Sequence, residues 1–250
     1  MMTYKDYGYA LVVVLFLGVG WEISAQIVNK PFILPSPSGI AMKVWELRSL
    51  LILEHLPPTL TVILISLFLS TIFGVGLAIM MYLYKTVEKA LYPLMITSQT
   101  IPIIALAPIF VLWFGYSLWS KAAVAVLFTF FPITVNTFDG LRTSRKESRE
   151  LLLTMGATQK DIFFKLDVPS ALPQFFSGLK VAVPLSVIGA AIGEWLGAQA
   201  GLGYFSRRMM TQFDGAGIFA PIVILSLVGI VIFSIVVWME KRILIWRKEI

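Results

Sequence analysis

The chain of 250 residues is 58% hydrophobic and 14% charged, a balance that no water-soluble domain needs, and its apolar residues fall in long blocks. It has no cysteine, which excludes disulfides, thiolate metal sites and a cysteine nucleophile, and one histidine, His55, which excludes a metal site built on paired histidines. The net charge of +6 raises nucleic acid as a partner. The lysines and arginines, however, sit mostly between and after the apolar blocks, as a membrane topology signal does, and no nucleic-acid partner is expected.

The first block covers about 9–28 after a tail holding Lys5 and Asp6. It lacks a small-residue cleavage site and reads as a membrane span rather than a signal peptide. A turn-rich loop follows, with the run Leu34-Pro35-Ser36-Pro37-Ser38-Gly39. Over 40–56, charges interleave with Val44, Trp45, Leu47, Leu50 and Leu51, the pattern of an amphipathic helix at the interface that Pro57 and Pro58 should break. Further spans are expected over about 59–84, 90–116 (with Pro93, Pro102 and Pro108), 122–138 (with Pro132), 177–196 and 218–238. Each is long enough for a hydrocarbon core of roughly 30 Å. The expectation is an all-α polytopic membrane protein, one domain over 1–250 with six transmembrane helices.

Six spans place both termini on one side. Thirteen of the 20 lysines and arginines fall on the side of the termini, six on the other and Lys180 within the fifth span. The positive-inside rule then makes both termini cytoplasmic, together with the long polar break at 139–176.

Within that break, 144–169 reads as two short helices and a turn. Ser144 with Glu147, and Thr158 with Asp161, fit the capping box in which side chains satisfy the free amides of a helix start. Gly156 stands where the first helix must stop, since glycine enters the left-handed conformation cheaply, and Pro169 should stop the second. Leu151, Leu152, Met155, Ile162, Phe163, Phe164 and Leu166 are available for burial, so the projection requires a partner surface. An ordinary basic loop that fixes orientation is the plainer alternative.

In this segment the chain closely resembles the permease subunits of bacterial ABC importers. Their cytoplasmic signature is Glu-Ala-Ala, three residues, Gly, nine residues, then Ile-x-Leu-Pro. Glu150, Gly156, Leu166, Val168 and Pro169 fall at those spacings, with Leu151 and Leu152 in place of the alanines. The run Gly193-Glu-Trp-Leu-Gly-Ala-Gln-Ala-Gly-Leu-Gly-Tyr204 and the Leu-Pro-Ser-Pro-Ser loop extend the likeness over the whole chain. It is greatest to the branch importing nitrate, sulfonates, taurine or thiamine-precursor pyrimidines. The resemblance implies a bacterial inner-membrane permease with a coupling set of Glu150, Gly156, Ala157, Leu166, Val168 and Pro169. It further implies an ATP-binding subunit docked there, an extracytoplasmic solute-binding protein and a second permease copy, a homodimer being expected. No enzyme site and no cofactor are expected in this chain. It has no Gly-Lys dipeptide, so the phosphate-cradling Gly-x4-Gly-Lys-Ser/Thr loop is absent and ATP is hydrolysed elsewhere.

Glu22 and Glu194 lie in or beside spans, where an unpaired charge is costly. Glu194 is a candidate for the translocation path, or else an interfacial carboxylate hydrated or paired with Arg207 or Arg208. Glu22 reads as interfacial or packing, and Lys180 as snorkelling to the headgroups. Trp113, Phe114, Tyr116, Phe128, Phe130 and Phe131 either line a route for a planar substrate or fill and anchor spans. Gly74, Gly76, Gly189, Gly193 and Gly197 fit close helix packing, and the small residues of the fifth span are the support for a dimer. An ion-coupled secondary transporter is the competing function. It would need buried ionisable relays and inverted repeats, and the sequence offers only the two isolated glutamates. A membrane enzyme, lacking a catalytic constellation, ranks below it.

Overall fold

A computed structural model describes residues 4–245, with side-chain surroundings from residue 12 onward. The basic residues Arg247 and Lys248 and the side chain of Lys5 lie outside that range. Among the described residues every regular element is helical, as backbone must be where hydrocarbon offers it no partner. In chain order these are α1 (Tyr4–Val28), α2 (Pro37–Glu46), α3 (Arg48–Leu50), α4 (Leu56–Leu83), α5 (Lys85–Ser98), α6 (Ile103–Phe114), α7 (Leu118–Leu141), α8 (Lys146–Thr154), α9 (Gln159–Ile162), α10 (Val168–Gly197), α11 (Leu202–Thr211) and α12 (Gly215–Ile243).

Among the described residues, four helical stretches are long and apolar enough to cross a membrane: Arg48–Leu83, Leu118–Leu141, Gln159–Gly197 and Gly215–Ile243. Two of them correct the reading of the prolines. Pro57 and Pro58 do not separate an interfacial helix from a span, and Pro169 does not stop the helix before it. Instead each helix continues through a single widened turn, Leu51–His55 in one case and Phe163–Asp167 in the other. The amides of Leu56 and Val168 reach back to the carbonyls of Leu51 and Phe163, one residue further than in an α-helix. The physical reason is local. Proline has no N–H for the carbonyl four residues earlier and its ring crowds that carbonyl, and a π-turn relieves both. The continuous helices therefore run for 36 and 39 residues, roughly 54 and 58 Å, well beyond a hydrocarbon core. The helix that holds the expected fifth span therefore begins well before 177, α10 itself starting at Val168.

The third apolar block is also not one rod. α5 and α6 meet at 103° across Gln99–Pro102. Met95 of α5 packs with Ala78 and Met81 of α4 and Phe138 of α7, so α5 lies across one end of the bundle. α6 continues alone along α7 and α10 as far as Gly115. In the first block, α1 holds an apolar stretch, Val12–Val28, with only Ala25 of its described side chains buried.

α7 and α10 are the central pair, with α4 against α7, α12 against α10 and α11, and α2 against α12. Burial of apolar surface gives helices no driving force toward one another in lipid, so close backbone approach decides. A Cβ on Gly189 would lie 2.7 Å from the Ala125 Cα, one on Gly178 2.6 Å from the Pro132 carbonyl oxygen, and one on Gly193 3.0 Å from the Lys121 Cα. Gly178, Gly189 and Gly193 thus pack α10 onto α7 of the same chain, and Gly197 packs against Val111 of α6. Gly76 has open space around it. Polar links add to the packing: Ser70 and Thr129 share a buried hydrogen bond of 2.5 Å between α4 and α7. The Lys180 ammonium pairs with Glu240 of α12 at 2.8 Å, which ties α10 to α12.

Candidate functional site

The two widened turns sit near opposite ends of the bundle, and each ends on a polar side chain two residues before a proline. These are His55 and Asp167, both buried. Around each of them lies a buried polar cluster.

At the α11 end, Glu194 is 1% exposed. Its carboxylate accepts hydrogen bonds from the Thr59 hydroxyl and the Gly203 amide, both at 2.7 Å. The Leu202 amide donates to Thr59 Oγ1 at 2.9 Å, and the Gly201 amide to His55 Nδ1 at 3.2 Å. Gly201 takes a φ of +121°, and a Cβ there would fall 2.3 Å from the Glu194 carboxyl carbon. The Gly-Glu … Gly-Leu-Gly run is therefore a fastening: the carboxylate and Thr59 take up the free amides at the start of α11 and hold that helix to α4 and α10. Glu194 makes no ion pair with Arg207 or Arg208 among the described residues, and Arg207 donates to the Trp195 carbonyl instead. Glu22 accepts from the amide and hydroxyl of Ser38 at 3.0 and 2.7 Å, which ties α1 to the start of α2. The aromatic candidates separate: Trp113 is largely exposed, whereas the Tyr116 ring lies beside Gly197 and the Phe128 ring beside Gly189.

At the other end, α8 and α9 form the projection. α8 closes through the Gly156 amide bonded to the Leu153 carbonyl and the Ala157 amide bonded to the Leu152 carbonyl, both at 3.0 Å, with Gly156 at φ +82°. This is the Schellman closure, which explains glycine at that position. Thr158 then caps α9 in a complete capping box with Asp161. The ammonium of Lys165, followed by the hydroxyl and amide of Thr158, holds the Asp161 carboxyl well below the usual carboxylate range. A depressed value contributes stability above the unfolded pKa of about 4, lost only as pH falls through the folded value, so the cap is intact throughout neutral pH. The first expected box is absent. α8 starts at Lys146 with Arg145 in the cap position and no side-chain cap, because Arg142 and Thr143 still close the end of α7 on the carbonyls of Asp139 and Gly140 and leave Ser144 in the connection.

Leu151, Met155 and Phe164 are 61%, 74% and 67% exposed, and Glu150 is exposed beside them. Ala157, Leu166, Val168 and Pro169 are half-buried. Sequence reasoning passed over Tyr82, Arg149 and Asp167, which meet beneath the projection. Asp167 accepts from the Tyr82 hydroxyl at 2.5 Å, across a separation that leaves no local signal.

Residues 70–245 match the family described as binding-protein-dependent transport system inner membrane component. The chain belongs to this family. It is 59% identical over 94% of both chains to the formylaminopyrimidine transport permease protein ThiX of Halalkalibacterium halodurans. It is 32% identical to the riboflavin transport system permease protein RibX of Chloroflexus aurantiacus, over 95% of this chain and 90% of that one. To the taurine transport system permease protein TauC of Escherichia coli it is 24% identical, over 94% and 88%. The protein is a membrane-embedded permease subunit of an ABC importer, and the ion-coupled alternative is set aside.

Proposed function

We propose that this permease imports a thiamine-precursor aminopyrimidine, delivered by an extracytoplasmic binding protein to the α11 end and driven by a separate ATP-binding subunit docked on α8 and α9. The substrate class rests on the 59% identical relative, whose name carries formylaminopyrimidine. The α8–α9 end faces the cytoplasm, in keeping with the bias of basic residues toward it, and six crossings follow if α1 and the bent pair α5–α6 each traverse the bilayer.

One observation carries the docking reading. Leu151, Met155 and Phe164 are large, apolar and exposed on a projection fixed by a Schellman closure and a capping box. Apolar surface costs about 25 cal/mol per Å² in water, so a rigid knob of this kind belongs in a groove of a partner. Two copies surround the path in this reading. The chain at Gln99–Pro102 leaves α-helical geometry and is exposed between the two helices, and non-helical backbone persists at membrane depth only against protein or water. Coupling residues are then Glu150, Gly156, Ala157, Leu166, Val168 and Pro169.

Co-purification tests this. Met155→Glu should insert at normal levels and lose the ATP-binding subunit, because it places a charge in the centre of the dock. Retention of that subunit at wild-type stoichiometry, with wild-type uptake, would sink the docking reading.

A further inference from the structure

The projection is joined to the bundle less securely than its own internal closure suggests. α8 buries no side chain, and after α9 the chain enters the membrane through the widened turn, a helical form with poorer geometry than the α-helix. A push applied to the projection could therefore be absorbed at that turn. One side-chain cluster opposes this. Arg149 of α8 donates through Nη2 to Gln159 of α9 and through Nη1 to the Tyr82 hydroxyl of α4, both at 3.3 Å. Tyr82 in turn donates to Asp167 Oδ2 at 2.5 Å, and the Arg149 guanidinium stands 3.6 Å from the same oxygen. The Phe163 ring lies 6.1 Å from that of Tyr82. The cluster thus links α8, α9, the widened turn and α4.

We propose that Asp167 is a positioning residue for transport, which with Tyr82 and Arg149 fastens the projection to α4, so that movement imposed by the ATP-binding subunit reaches the membrane helices. The inference rests on the docking reading and adds to it Tyr82, Arg149 and Asp167, the last at the position that the family signature leaves open. Stability alone is a poor reason for this carboxylate. Asp167 is 0% exposed, and its Oδ1 has no hydrogen-bond partner among the described residues. A buried charge satisfied on one oxygen only is less favourable than an apolar side chain filling the same space. What the carboxylate supplies is a directional tie to one hydroxyl on a different helix.

Tyr82→Phe removes that hydroxyl and leaves the ring in place. The measurement is made on the whole complex in vesicles: bound ATP-binding subunit, ATP hydrolysed, and formylaminopyrimidine imported from its binding protein. The expected result is normal subunit binding and retained hydrolysis, with roughly tenfold less substrate imported per ATP, the scale of one lost hydrogen bond to a charged group. Asp167→Leu should insert normally and show the same uncoupling. Combining Tyr82→Phe with Asp167→Asn should cost less than the sum of the two, since both act on one tie. Wild-type import per ATP in Tyr82→Phe overturns the inference, whatever the fate of the Asp167 variants. A wild-type chain that fails to retain the ATP-binding subunit overturns the docking reading and this inference with it, whereas wild-type coupling matched by Tyr82→Phe overturns this inference alone.

Discussion

Gly201 and Gly76 show how differently one residue type is used in this chain. A methyl group on Gly201 collides with the Glu194 carboxylate at a backbone angle that L residues rarely adopt, whereas one on Gly76 meets nothing. Gly201→Ala should destabilise by roughly 2–4 kcal/mol, from displaced hydrogen bonds and backbone strain. Gly76→Ala should be neutral or slightly stabilising, in line with helix propensity. Thermal unfolding of the purified chain in detergent checks both. The geometry also favours a fastening role for Glu194 over a path-lining one. Glu194→Ala, which strands the Gly203 amide and removes the tie to Thr59, should be more damaging than Glu194→Gln, which keeps an acceptor and the side-chain volume. Equal loss of uptake in the two variants at equal unfolding temperature would return the carboxylate to the path. Local chemistry of this kind was only partly legible. Gly156 and the Thr158–Asp161 box could be read because every partner lies within a few residues. The partners of Glu194 include Thr59, which nothing in sequence brings near it.

Helices misled where proline had two physical outcomes. Loss of its N–H can end a helix or widen it, and the choice depends on whether the flanking turns are held by packing, which Leu51, Ile162 and Asp167 are. Pro169→Ala restores the missing amide to the Lys165 carbonyl and should let the turn contract to α-helical geometry. The projection would then rotate by about 100° relative to α10, one residue's worth of helix. Spin labels on cysteines placed in α8 and α4 should report a changed distance, and uptake should fall while the chain still inserts. An unchanged distance would mean that packing, not the proline, sets the widened turn. Gly156→Val should harm coupling more than Gly156→Ala. Space around Gly156 is open, so only the left-handed backbone penalises a side chain there, and β-branched residues suffer most.

For the whole molecule, the all-α membrane architecture was plain from the apolar blocks, because the bilayer imposes length and self-satisfied backbone on any span. The bend between α5 and α6 was not, since three prolines in one block do not reveal which of them interrupts it. The polar network under the projection was hidden for another reason: it joins residues from α4, α8 and the turn before α10, and only the folded chain brings them together. In the docking reading, α8 and α9 receive the action of an ATP-binding subunit and pass it to the membrane helices. The most direct test is formylaminopyrimidine uptake and ATP hydrolysis, measured together on the Gly156→Val complex in reconstituted vesicles. Insertion should be normal and uptake lost, through either weakened subunit binding or hydrolysis without transport. Wild-type uptake per ATP in that variant, with the subunit normally bound, would contradict the docking reading.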